Sequence, residues 1–368
     1  MSKSTKKITG RRWDRIIIFR QGQFGDTLVV FPVIEALNKL FPSAQIVYCT
    51  NYFKTKQYVQ GCDVARLSPY IDKIATYNVE DSVIRKYFDL KNDIEPGENE
   101  LLIYLPYSRV KRYQIIRDWV FFRLLSFRNL VCFEENWNWT FTFENKNNIL
   151  PKESERMAGF IRRAGIPIEL KETCSINYNQ DWAKEKWAQW RLDGEKVIAI
   201  CPGSKMQSKR WPKERYIELG KMLHELTDAS FVVIGGQEES ELADDIISHW
   251  IGYGFSCCGA SISQTAGILK RSLAYCGNDT GSMHLAALLG IPCVAIFSSR
   301  EPPALWHPAG KNNVIFRKDV DCRNCNLEKC HASLPLCLEK ISVEEVLEAT
   351  VGIIMRKKLV FNRYSKAQ

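Results

Sequence analysis

What most constrains this chain is a repeated junction: a short apolar run, a glycine-bearing polar turn, then apolar residues at helical spacing. It occurs at Arg15–Phe19 followed by Gln21-Gly22-Gln23-Phe24-Gly25-Asp26, and at Val197–Cys201 followed by Pro202-Gly203-Ser204. It recurs at Phe231–Ile234 followed by Gly235-Gly236, and at Leu273–Cys276 followed by Gly277-Asn278-Asp279-Thr280-Gly281-Ser282. Continuous apolar runs of this length suit strands buried on both faces, and strands alternating with helices make parallel sheets. The expected class is therefore α/β with doubly wound sheets.

Further strands are expected at Gln45–Tyr48, Leu101–Tyr104 and Cys293–Phe297. Helical spacing predicts helices over Leu28–Leu40, Lys213–Leu226, Glu239–Trp250, Gln264–Lys270 and Ser282–Leu289, with Pro32 leaving the start of the first one open. A chain of 368 residues exceeds one ordinary core and suits two. The polar run Glu169–Gln180 marks the division, giving domains 1–170 and 171–368. With 45% hydrophobic and 25% charged residues the composition is globular. No apolar run reaches the roughly 18 residues of a membrane span, and no signal-like stretch follows the basic Met1–Arg12. A soluble, cytosolic chain is expected.

Open α/β sheets bind ligands beyond the carboxyl ends of their strands, so the turns are the candidate sites. Asp26 either caps the helix that follows or presents a reactive carboxylate beside the glycine turn. The G-x-x-G spacing there is a poor dinucleotide fingerprint, and no acid falls near residues 46–52 to hold a ribose. Ser204 and Lys209, ahead of Pro212, supply a hydroxyl and a point charge of the kind that holds phosphate, or Lys209 is simply solvated. Asp279, Thr280, Gly281 and His284 open the last helix. Its free N–H groups suit an anion, although a lone histidine is ordinarily a satisfied one. Glu238 or Glu239, after the glycine pair, either binds a ribose diol or stabilises a helix dipole.

The net charge of +9 is carried by the first half: residues 1–168 hold 26 Lys and Arg against 18 Asp and Glu. That excess favours an anionic partner. Within Tyr107–Leu130, Arg109, Lys111, Arg112, Arg117, Arg123 and Arg128 face one acid, Asp118, with aromatic residues interleaved. Such a helix can rest on an anionic membrane or clasp a phosphorylated glycolipid, while part of its apolar side must be core. No recognised nucleic-acid motif accompanies the charge. Among 13 cysteines, Cys322, Cys325, Cys330 and Cys337 lie close enough in sequence for a structural metal, with His331 as a substitute ligand. Reduced thiols and disulfides are the alternatives.

Taken in order, the G-x-x-G-D turn, P-G-S with K-R-W-P, the glycine pair before two glutamates, and N-D-T-G-S-M-H resemble glycosyltransferase family 9, the ADP-heptose:lipopolysaccharide heptosyltransferases. Trp306-His307-Pro308 and the cysteine cluster are similar to its second-heptosyltransferase branch. The resemblance covers residues 13–30 and 195–350 and is weak over 50–165. It implies a GT-B fold of two Rossmann-like domains facing a central cleft, with an N-terminal acceptor domain and a C-terminal donor domain. It implies inverting transfer of a sugar, most often heptose from an ADP-sugar, to a lipopolysaccharide core or related glycan without a catalytic cofactor. Under it Asp26 becomes the general base, and Lys209 and Ser204 hold the diphosphate with backbone donors from Thr280 and Gly281. Asp279 then positions the sugar and Glu238 or Glu239 the ribose, with His284 in the donor set. Gly25, Arg109, Lys111 and Arg112 are the acceptor candidates. Zinc or iron at the cysteine cluster would be structural only. The expected location is cytoplasmic, with peripheral contact at the inner membrane. A dinucleotide-dependent oxidoreductase or epimerase and a non-catalytic nucleotide-sugar binder are the competing readings.

Overall fold

The computed structural model describes residues 8–54, 59–143 and 149–365, with backbone alone at 141–143 and 357–365. The start of the basic N-terminal stretch, residues 1–7, lies outside the described residues. The isoleucine run of β1 (Arg15–Phe19) is buried on both faces, as a central parallel strand requires. Next come α1 (Phe24–Leu28) and α2 (Phe31–Leu40), where the sequence suggested one helix from Leu28. Pro32 has no N–H for the preceding turn, so the first helix ends and Pro32 occupies the first turn of a second. There follow β2 (Gln45–Tyr52), α3 (Gly61–Ala65), β3 (Lys73–Asn78), α4 (Val83–Ile94), β4 (Glu100–Tyr104) and α5 (Arg112–Leu124). Then come β5 (Asn129–Val131), α6 (Phe133–Phe143) and α7 (Glu153–Arg163).

The five strands run parallel in the order β3-β2-β1-β4-β5. Ile17 stands level with Val47 of β2 and Leu102 of β4, and these three join one core with Phe19, Leu90, Tyr104 and Phe122. Strand order reverses at the β1–β4 boundary, the place where open sheets hold ligands.

The second unit contains α8 (Gln180–Gln189), β6 (Val197–Cys201), α9 (Lys213–Thr227), β7 (Ser230–Val233), α10 (Ser240–Ser248), β8 (Gly254–Ser256) and α11 (Ile262–Arg271). It closes with β9 (Ala274–Asn278), α12 (Gly281–Leu288), β10 (Cys293–Phe297), β11 (Val314–Arg317), α13 (Leu336–Glu339) and α14 (Val343–Ser365). Its sheet is also parallel, in the order β11-β10-β9-β6-β7-β8, with its reversal between β6 and β9. The expected helix from Glu239 begins at Ser240, because Gln237–Glu239 form a separate 3₁₀ turn.

The chain divides after Asn177, not after residue 170. The intervening segment is tied to the first unit: Lys171 reaches Glu35 at 2.5 Å, and the Asn177 N–H donates to the Leu67 carbonyl. Both units are thus Rossmann-like, doubly wound α/β sheets. Among the described residues, no helix is long and apolar enough to cross a membrane.

Candidate active site

In the first unit the turn after β1 is built around a buried charge. Arg20 follows the strand directly and has no solvent exposure. Its Nε donates to the Asp26 carbonyl at 3.2 Å, and its Nη1 to the Pro106 carbonyl at 3.0 Å and to Glu153 at 2.8 Å. Arg20 thereby bridges the ends of β1 and β4 across the strand reversal. Its Nη2 has no hydrogen-bond partner and lies 3.7 Å from Asp26 Oδ1. Burial alone would lower the Arg20 pKa, but Glu153 and then Asp26 outweigh it and raise it.

Glu153 is also fully buried and receives Arg156 on both oxygens at 2.7 Å. Arg156 donates again to the Pro106 carbonyl and lies over the Phe160 ring. Two buried guanidinium groups against one buried carboxylate leave one positive charge over, and Asp26 is the carboxylate placed beside it.

Asp26 is the third residue of α1, not its cap residue, yet it does part of the capping. Its Oδ2 accepts the Gln23 N–H at 3.1 Å, the return half of a capping box. The sequence posed cap and reactive carboxylate as alternatives; the geometry gives Oδ2 the first task and leaves Oδ1 facing Arg20. Gly22 makes the approach possible, because its φ of +148° and a Cβ there clashing with Asp26 exclude other residues. The Gly22 N–H donates to Asn51 Oδ1 at 2.9 Å. Asn51 lies near the end of β2, where a dinucleotide fold would place its ribose-binding acid, and it is spent on the turn itself.

Gly25 lies in the same turn and is half-buried. Arg109, Lys111 and Arg112 follow β4, the strand beside β1, so they share its carboxyl edge. Lys111 is exposed at the head of α5. Arg112 is already engaged: Nε donates to the Thr140 hydroxyl at 3.0 Å, and the guanidinium lies 5.0 Å from the Trp137 ring centre.

In the second unit the strand ends converge through Asn278, which is fully buried at the end of β9. Its amide donates to the Pro202 carbonyl at 2.8 Å, while its Oδ1 accepts from the Trp211 N–H and the Tyr216 hydroxyl. One side chain thus pins the P-G-S turn and the K-R-W-P segment to the strand that carries Asp279. Lys209 Nζ reaches Asp279 at 2.6 Å. Burial would lower the Lys209 pKa, but Asp279 and Glu301 outweigh it and raise it, so the ammonium is firmly charged. Ser204 is buried, and Arg210 donates to its carbonyl.

Thr280 precedes α12 with its hydroxyl turned inward, near Tyr275 Oη and Cys201 Sγ. The first N–H groups of α12, from Gly281 onward, are left without intrahelical acceptors. His284 is buried in that helix with its ring edge-on to Trp306.

Packing separates the two glutamates. Glu239 folds back so that its Oε2 accepts the Gly236 N–H at 2.9 Å, and its carboxylate covers Gly203 closely enough to bar a Cβ there. Glu238 is exposed on the outside of the same turn. Burial raises the Glu239 pKa despite that backbone bond. Ser204, Lys209, Asp279–Ser282 and Glu239 therefore gather at one edge of the second sheet.

The four cysteines do not gather so tightly. Cys322 and Cys325 are exposed, Cys330 is half-buried and Cys337 buried, and all are free thiols. Among the described residues no three metal-ligating side chains, His331 included, stand close enough to hold an ion. As placed, this set does not fit a closed tetrahedral site. The loop braces the turn that follows β6. Ser208 donates to the Leu327 carbonyl at 2.6 Å, Cys330 N–H to Gln207 Oε1 at 2.9 Å, and buried Arg300 to the Leu327 and Asn326 carbonyls. Sequence reasoning missed Arg20, Glu153, Arg156 and Arg300, and quoted Asn278 within its motif without giving it a task. Only Arg20 had a usable signal, a cation immediately beyond a buried strand.

Residues 155–334 match the family described as glycosyltransferase family 9 (heptosyltransferase). Lipopolysaccharide heptosyltransferase 2 of Escherichia coli is 30% identical over 182 residues, 46% of this chain and 50% of that protein. Lipooligosaccharide heptosyltransferase 2 of Campylobacter jejuni is 23% identical over 173 residues, 45% of this chain and 54% of that one. The chain spans about half the length of the curated relatives it matches. A family 9 glycosyl transferase structure from Veillonella parvula aligns with a TM-score of 0.70 at 17% identity, over 94% of this chain and 98% of that one. The structure of Escherichia coli ADP-heptose LPS heptosyltransferase II aligns with a TM-score of 0.67 at 18% identity, over 94% and 99%. At these identities the structural likeness is one of fold, the GT-B class.

Proposed function

From the premise that this chain is a heptosyltransferase-like member of glycosyltransferase family 9, we propose that it moves a heptosyl group from an ADP-sugar to a hydroxyl of a lipopolysaccharide core or related glycan. The observation that carries the donor half is the gathering of Ser204, Lys209, Asp279–Ser282 and Glu239 at the strand reversal of the second sheet.

In this reading Glu239 accepts the ribose hydroxyls, since its carboxylate lies over the P-G-S turn while the exposed Glu238 lies against Gly236. The diphosphate meets the Lys209 ammonium, the Ser204 hydroxyl and the open N–H groups of α12. Without donor, Lys209 is satisfied by Asp279. An incoming phosphate competes for that ammonium and leaves Asp279 to accept from sugar hydroxyls.

The transfer is a single displacement with inversion. Asp26 takes the acceptor hydroxyl proton, and the oxygen attacks the anomeric carbon. The bond to the diphosphate breaks with its electron pair passing to the phosphate oxygen. Fixed donors around that oxygen stabilise the charge as it develops, so no metal is required. Arg20 lies beside this base, its Nη2 3.7 Å from Asp26 Oδ1, and offers it a fixed positive charge. Arg109, Lys111 and Gly25, on the β1–β4 edge, are the acceptor-binding candidates, with Arg112 limited by its bonds to Thr140 and Trp137.

Calorimetry with ADP and an ADP-sugar tests the donor half. Lys209→Ala removes one charged hydrogen-bond donor, worth about 1.5–3 kcal/mol. Affinity is expected to fall by roughly ten- to a hundredfold. Because the change strands Asp279, binding must be measured well below the variant's melting temperature. Unchanged affinity would remove Lys209 from the diphosphate site.

A further inference from the structure

The apolar side chains on α4 and α5 do not all turn inward. On α5, Ile115, Phe122 and the buried Asp118 face the core, while Ile116, Trp119, Val120 and Leu124 face out. On α4, Ile84 and Phe88 do the same, with Ile84 71% exposed and Leu124 65% exposed. Of the seventeen exposed large hydrophobic residues among the described ones, eight belong to these two helices. The helices lie side by side: the Tyr87 ring meets Phe121 edge-on at 6.4 Å, and the Tyr87 hydroxyl donates to the Leu124 carbonyl. One continuous apolar face results, larger than scattered surface leucines would give.

The charges around it are of one sign on α5. Arg117 and Arg123 are exposed within the helix and Lys111 at its head, and its single acid, the buried Asp118, accepts from the Tyr104 hydroxyl on one oxygen and pairs with Arg117 at 2.7 Å on the other. Arg85 and Lys91 extend the cationic rim on α4, where Asp89 and Asp93 are half-buried, Asp93 accepting the Thr76 N–H. Arg123 stacks over Trp119 at 5.3 Å while its Nη1 donates to the Phe127 and Arg128 carbonyls, and Lys91 lies over Tyr87 at 5.6 Å, so cationic side chains border the aromatic surface. A protein partner or a second copy would need acids to match this rim. A bilayer with anionic headgroups meets both parts at once, taking the apolar side chains at the acyl boundary and the cations at the phosphates.

We propose that the outer face of α4 and α5 is a membrane-docking surface for anionic phospholipid. The inference stands apart from the sugar-transfer reading, and its test needs no activity. The full chain is sedimented with vesicles of phosphatidylglycerol and phosphatidylethanolamine, and separately with pure phosphatidylcholine vesicles. Two variants accompany it, Ile84→Ser/Ile116→Ser/Leu124→Ser and Arg117→Gln/Arg123→Gln, each checked for native circular dichroism and melting. The chain is expected to pellet with the anionic vesicles and remain in solution with phosphatidylcholine, and raised salt should release it. Each variant should lose at least tenfold in partitioning. Wild type staying in the supernatant with anionic vesicles, or folded variants partitioning like wild type, would overturn the proposal. So would dimers in sedimentation velocity that the triple serine variant dissolves, with no vesicle binding, since the face would then belong to a second copy.

Discussion

Asp26→Asn is expected to lower transfer by roughly two to four orders of magnitude, the range a general base contributes. The substitution keeps the shape of the turn, and an asparagine Oδ1 can still accept the Gln23 N–H that Asp26 Oδ2 accepts now. What disappears is the proton acceptor and the negative charge 3.7 Å from Arg20 Nη2. Donor affinity is expected to stay near wild type, because the residues proposed to hold the donor, Ser204, Lys209 and Glu239, belong to the other unit. Comparing initial rates of both proteins on one acceptor preparation, with calorimetry as the control, separates catalysis from folding. Near-equal rates would leave Asp26 as a capping residue alone.

Glu153→Gln is expected to be the most damaging single change to stability, at roughly 3–5 kcal/mol, because it strands two buried guanidinium groups. That is a large share of the roughly 5–15 kcal/mol that holds a typical domain together. Burial favours protonated Glu153, but Arg156 and Arg20 outweigh it and hold its pKa below the usual glutamate value. A depressed acid contributes stability above its unfolded pKa and loses that contribution as pH falls through the folded value. Denaturant melts of both proteins should therefore differ most near neutral pH and converge in acid. A variant as stable as wild type at pH 7 would show that the cluster is relaxed by water.

The two predictions differ in how visible their residues were beforehand. Asp26 was legible because a glycine turn after a buried strand announces a ligand edge, and the strands Arg15–Phe19, Val197–Cys201 and Cys293–Phe297 form where their apolar runs lie. Glu153 was not legible. It lies 133 residues from Arg20, and nothing local marks a charged residue as buried until the fold brings its partners together. The edge strands β5 and β8 escaped for a related reason: three residues with a polar member carry no period.

The Glu238 and Glu239 register turns on which neighbour folds back over Gly203, a property of one 3₁₀ turn. Cysteine spacing likewise said how near four thiols are in sequence, and the bonds to Leu327, Asn326 and Gln207 decide where the loop lies. On α5 the sequence showed cations among aromatics, but the outward turn of Ile116, Val120 and Leu124 needed the packing of Ile115 and Phe122 to be known.

Heptosyl transfer from an ADP-linked donor is tested by incubating purified protein with ADP-heptose and a lipopolysaccharide core lacking that heptose, then weighing the acceptor by mass spectrometry while assaying released ADP. The acceptor is expected to gain one heptosyl unit with equimolar ADP, and Asp26→Asn to suppress both signals together. ADP release without acceptor gain, or no reaction with ADP-heptose under conditions where it binds, would contradict it.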